Sequence, residues 1–124
     1  MCLICDRIQQ IKNGTTPYFV KELEPAFKAR FLEEMSLAAE AAYHAFGAEK
    51  MNYELLGNGD THLHWHLFPR KKGDLKEYGN HGKGPVWWYP MEKMYDDANR
   101  PTQKELEEMK TALRKELDKL VKEG

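Results

Sequence analysis

Three histidines at two-residue spacing, His62, His64 and His66, fall within the seven-residue run His62-Leu63-His64-Trp65-His66-Leu67-Phe68. On a β-strand, residues i, i+2 and i+4 share one face, which would set these imidazoles in a row about 6 to 7 Å apart. Leu63, Trp65 and Leu67 would then face the core. Near neutral pH an imidazole can act as nucleophile, acid, base or metal ligand. The competing reading is a half-buried strand that merely carries histidine on its solvent face. One histidine would fit that reading. Three in register, alternating with bulky apolar residues and closed by Pro69-Arg70, point instead to a shared catalytic surface.

A second candidate is the pair Cys2 and Cys5, a lone Cys-x-x-Cys. It is compatible with half of a zinc site, with a redox pair or with two unreactive thiols. A thioredoxin-like use needs a strand ahead of the pair, and the position of Cys2 disfavours one.

The elements that must position these residues are legible in outline. Met51–Leu56 reads as a strand ahead of the histidine strand, and Asn58-Gly59 between them suits a tight turn. From Pro25 to Phe46 apolar residues recur with helical period at Phe27, Phe31, Met35, Ala38, Ala39, Ala42 and Phe46, with Pro25 opening the helix and Gly47 closing it. His44 falls late in that helix and reads as a surface residue. Ile8–Lys12 predicts a short helical turn before Asn13-Gly14, and Tyr18–Leu23 predicts a strand. Glycine and charge between Lys71 and Gly84 predict a surface loop, and Trp87-Trp88 reads as a packing segment. The last segment, Pro101–Val121, predicts a helix with a Thr102/Glu105 capping box and an apolar stripe of Leu106, Met109, Leu113, Leu117 and Leu120. Such a narrow stripe suits packing within the chain or a coiled-coil seam.

A chain of 124 residues with 41% hydrophobic content predicts one domain, 1–124, in which residues 100–124 form a helical extension. Its net charge of −1, from 19 basic and 20 acidic residues, leaves no electrostatic footprint for duplex nucleic acid or an anionic membrane. No apolar run approaches the roughly 20 residues of a membrane span, and Met1–Cys5 is too short for a signal peptide, so the expected location is cytoplasmic.

The run from His62 to Phe68 matches the pattern His-φ-His-φ-His-φ-φ, with φ apolar, at all seven positions. In it the chain resembles the histidine triad (HIT) family of nucleotide hydrolases and transferases. The resemblance extends to Met51–Asn58, Pro69-Arg70, Cys2-Leu3-Ile4-Cys5 and Gly84-Pro85-Val86-Trp87-Trp88, the last as in bacterial and archaeal members with a Trp-Trp tail. It implies an α+β fold, an antiparallel HIT-like sheet with a long helix and a C-terminal helix.

The resemblance also implies roles. His64 would attack the α-phosphorus of a nucleoside phosphate derivative and form a covalent nucleotidyl-imidazole, which water or another acceptor then cleaves. His66 would hydrogen-bond the phosphate or the leaving group, and His62 would orient its neighbours or bind metal. Asn58 stands where many relatives carry a glutamine, and its amide can still donate to a phosphate oxygen. Asn52 stands where the family places a phosphate-contacting asparagine, although the family's glycine two residues later is Glu54 here. A structural zinc would take Cys2, Cys5 and His62, three of the usual four ligands.

Between Glu24 and Pro25 the chain departs from the family: two strands and a loop that relatives place there are missing. That segment supplies part of the nucleoside wall, a further histidine near the site and the remaining zinc-ligand histidine. A sheet so reduced exposes backbone and core, and predicts completion by a second chain in a homodimer, through strand or domain exchange. Two functions follow. One is hydrolysis or transfer of nucleotidyl groups from phosphoramidates or dinucleoside polyphosphates. The other is a non-catalytic nucleotide- or metal-binding scaffold.

Overall fold

The computed structural model describes residues 9, 12–13, 20–56, 62–74 and 91–123. The architecture is α+β, a two-stranded antiparallel sheet with helices, as a shortened HIT-like fold requires. In chain order the regular elements are α1 (Pro25–Ala45), β1 (Lys50–Glu54), β2 (His66–Arg70), α2 (Met91–Met94) and α3 (Gln103–Glu123). The chain divides into two compact units, Met1–Ser36 with Tyr53–Leu67 and Leu37–Asn52 with Phe68–Gly124.

In the first unit, Gln9, Lys12 and Asn13 are helical, and the Gln9 Nε2 donates to Asn13 Oδ1 at 3.0 Å, as the predicted helical turn requires. The predicted strand Tyr18–Leu23 is corrected: Val20–Glu22 is a 3-10 turn, closed by the Leu23 amide on the Val20 carbonyl at 3.1 Å. A β-prone segment forms a strand only when a neighbour completes its ladder. Among the described residues the sheet pairs β1 with β2 and does not include this segment. Leu23 is buried, and Glu24 leads directly into α1, whose first bond runs from the Lys28 amide to the Glu24 carbonyl at 2.8 Å.

Proline at the first helical position, frequent alanine and the absence of β-branched residues favour α1. It ends where predicted, and its terminus lies in the second unit. Gly47 takes φ +59°, so that the Ala48 amide reaches the Tyr43 carbonyl at 2.9 Å and the Gly47 amide reaches that of His44 at 3.4 Å, a Schellman ending. The core of this unit is lined by alanine: Ala39, Ala41, Ala42 and Ala48 are buried, and among the described residues no large side chain is fully buried. Ala41 lies off the predicted apolar period. Its burial shows that α1 is covered on more than one side here.

The predicted strand Met51–Leu56 appears as β1, Lys50–Glu54, and the predicted strand His62–Phe68 is displaced to His66–Arg70. Pro69 therefore does not end the strand. Proline only removes a donor, and in a two-stranded sheet each strand has an edge that needs none. The ladder continues past it, with the Glu49 amide on the Arg70 carbonyl at 2.9 Å. Arg70 is 2% exposed, and its guanidinium forks onto Asp74, Nε to Oδ2 at 2.6 Å and Nη2 to Oδ1 at 3.3 Å. The turn from Lys71 to Asp74, with Gly73 at φ +77°, is thus pinned at its end.

The capping box of α3 forms as read from the sequence. The Glu105 carboxylate accepts from the Thr102 amide and hydroxyl, both at 2.8 Å, while the Glu105 amide donates to Thr102 Oγ1 at 3.3 Å. The Thr102 amide, and then its hydroxyl, hold the Glu105 carboxyl below the usual glutamate range. On the same helix Glu116 is lowered first by its hydrogen bond from Lys119, against an opposing effect of burial, with smaller contributions from the charges of Lys119, His44 and Lys115. Two small elements escaped the sequence reading: α2 and the 3-10 turn Asp97–Asn99, which Asp96 caps by accepting from the Ala98 amide at 2.9 Å.

Candidate active site

His62 lies in a bend, Leu63 to Trp65 have neither helix nor strand, and only His66 sits on β2. The ladder that was to hold all three histidines therefore reaches one of them. Their rings nevertheless stack in series, His62 on His64 with centroids 5.1 Å apart and His64 on His66 at 4.7 Å, each tilted by 38°. The spacing is tighter than the roughly 6 to 7 Å expected had all three stood on one strand face.

Hydrogen bonding fixes the protons. His64 Nδ1 lies 3.2 Å from the His62 carbonyl oxygen, which can only accept, so Nδ1 carries the hydrogen. A neutral His64 then has its lone pair on Nε2. That atom lies 2.7 Å from His66 Nε2, and the proton between them belongs to His66. In that tautomer the lone pair of the middle histidine faces an N–H of the third. His62 and His64 are half-buried and His66 is exposed.

The fold has a counterpart among solved structures. The chain is similar to a histidine triad protein from Sinorhizobium meliloti, at 29% identity and a TM-score of 0.61 over 80% of this chain and 65% of that one. The fold is histidine-triad-like. The match spans 65% of its neighbour's length. No protein-family model and no curated protein matches the chain.

Of the other candidates in this histidine-triad-like chain, Asn52 is half-buried on β1, with Glu54 one pleat further along. Asn58, Cys2 and Cys5 lie outside the described residues, as do His81, Trp87 and Trp88. Among the described residues no three His, Cys, Asp or Glu side chains are grouped to hold a metal ion, and no helix is long and apolar enough to cross a membrane. His44 is exposed, as read, 3.9 Å from Glu40. The sequence reading put Trp65 in the core without naming what holds it there. Its ring lies against Phe31 of α1, centroids 5.6 Å apart. The period of α1 had already placed Phe31 on its apolar face.

Proposed function

We propose that this chain transfers or hydrolyses nucleotidyl groups through a covalent intermediate on His64. The observation that carries the reading is the hydrogen-bond geometry of the triad, His64 Nδ1 at 3.2 Å from the His62 carbonyl oxygen and His64 Nε2 at 2.7 Å from His66 Nε2, which suits Nε2 as the nucleophile. In the first step Nε2 attacks the α-phosphorus, an N–P bond forms and the bond to the leaving group breaks. Cationic His66 gives its Nε2 proton to the departing atom and becomes neutral. In the second step water attacks phosphorus, His66 takes a proton from that water, and the N–P bond returns its electron pair to His64. Throughout, the His62 carbonyl dipole supports the positive charge that grows on the His64 ring.

The hydrogen bond between His64 and His66 must open for attack, so substrate entry replaces the His64 lone pair with a phosphoryl or leaving-group oxygen or nitrogen as the acceptor for His66. Asn52 and Asn58 are the proposed phosphate donors. Nucleoside phosphoramidates and dinucleoside polyphosphates are the proposed substrates, since both leaving groups gain from protonation. Cys2, Cys5 and His62 would hold a structural zinc, a donor set that suits that ion, and no step above passes through it. Self-association belongs to the same proposal, since a shortened sheet is one that a second copy could complete.

The shortened chain favours a second reading, a nucleotide-binding scaffold that has lost turnover, because positioning contributes much of such catalysis. Incubation with adenosine 5′-phosphoramidate, followed by intact-protein mass spectrometry, separates the two. A nucleotidyl adduct that His64→Ala abolishes is the expected result. A folded protein that gives neither adduct nor AMP would overturn the enzyme reading.

A further inference from the structure

We infer that Phe31 is a positioning residue for the histidine triad, acting through Trp65. The inference rests on the reading of the triad given above and adds a residue from a different element. Leu63, His64 and Trp65 lie outside the ladder, so backbone pairing does not decide which way His64 points. Yet the His64 and His66 rings meet at 2.7 Å between nitrogens, a contact that fails if either side chain turns. Trp65 lies between them in the chain. His64 turns its ring onto His62 and His66, whereas Trp65 turns its ring onto Phe31 instead. Holding the indole on one side therefore holds His64 and His66 on the other.

The holding contact is Phe31, half-buried on α1, whose ring lies 5.6 Å from Trp65 with a 32° tilt, within the range of favourable aromatic pairs. The indole N–H sharpens the argument. It is buried with no acceptor among the described residues, so no hydrogen bond among them fixes the ring at its polar end. A buried, unsatisfied donor is costly, and swinging the ring out to water would relieve it. Packing against Phe31 opposes that swing. Without Phe31, the indole is free to leave and to take the 64–66 backbone with it.

The test uses the full-length, 15N-labelled protein and reads the imidazole nitrogens of His64, assigned by comparison with His64→Gln. In the wild type His64 is expected to be the Nδ1–H tautomer. Phe31→Ala is expected to give averaged nitrogen shifts at His64 and to slow nucleotidyl adduct formation about 100-fold, with the affinity for AMP changed less than about three-fold. Phe31→Leu keeps apolar bulk and serves if the alanine variant fails to fold; it is expected to show the same change in part. Phe31→Tyr should restore both readouts. Unchanged His64 nitrogen shifts in a folded Phe31→Ala or Phe31→Leu protein would overturn the inference, whatever happens to the melting temperature. If the wild type forms no adduct, the enzyme reading falls, and the nitrogen shifts still decide the positioning role.

Discussion

At the scale of residues, the triad divides labour through hydrogen placement. In the proposed mechanism His64 donates Nδ1–H to a backbone carbonyl and keeps a lone pair on Nε2, while His66 supplies the proton that a leaving group needs. His66→Ala should slow adduct formation from the phosphoramidate by about 10² to 10³. The deficit should shrink for the p-nitrophenyl ester of AMP, whose leaving group departs without a proton. An equal loss on both substrates, measured as single-turnover rates, would count against the proton-donor role. The types and spacing of the three histidines were readable from the chain. The direction of each ring was not, because it depends on a carbonyl two residues back and on an aromatic contact with a separate helix.

At the scale of elements, the ends of helices carry clear predictions. Thr102→Ala removes the cap of α3 and should cost about 1 kcal/mol, read by thermal or urea unfolding. Because Glu105 is held below the usual carboxylate range by Thr102, its charged form is favoured by folding. That stabilisation is complete above the ordinary glutamate pKa and disappears as pH falls through the lowered value. Glu105→Gln should therefore be less stable than wild type at neutral pH, with the difference vanishing in acid; a constant difference across pH would show that the carboxylate's charge is not involved. Gly47→Ala should destabilise by about 1 kcal/mol through its φ of +59° alone, since the added Cβ would meet nothing within 4 Å. These termini were legible because caps are local: proline, threonine, glutamate and glycine act on neighbours a few residues away. The strand expected at Tyr18–Leu23 was not, since a strand needs a partner that local sequence does not reveal.

At the scale of the whole molecule, the buried ion pair between β2 and the turn after it is the most exposed weakness. Asp74→Ala strips the carboxylate from a guanidinium whose side chain is 3% exposed, and should cost about 2 to 3 kcal/mol of unfolding free energy. A change under about 0.5 kcal/mol would mean that Arg70 finds full compensation elsewhere. A shortened sheet should also draw two copies together. Sedimentation equilibrium is expected to give the dimer mass, and a monomer throughout the measurable concentration range would contradict it.

What the sequence determined by itself was set by short-range chemistry: the triad and its family resemblance, and the two long helices with their caps. The tertiary structure alone decided where strand pairing begins and ends. It placed β2 at His66–Arg70 rather than His62–Phe68 and carried it through Pro69, because a ladder forms only where a facing strand supplies partners. It also decided how the histidines outside that ladder are held, since the contact between Phe31 and Trp65 joins residues far apart in the chain. Two-residue spacing proposes a shared face; only packing against another element turns it into a site.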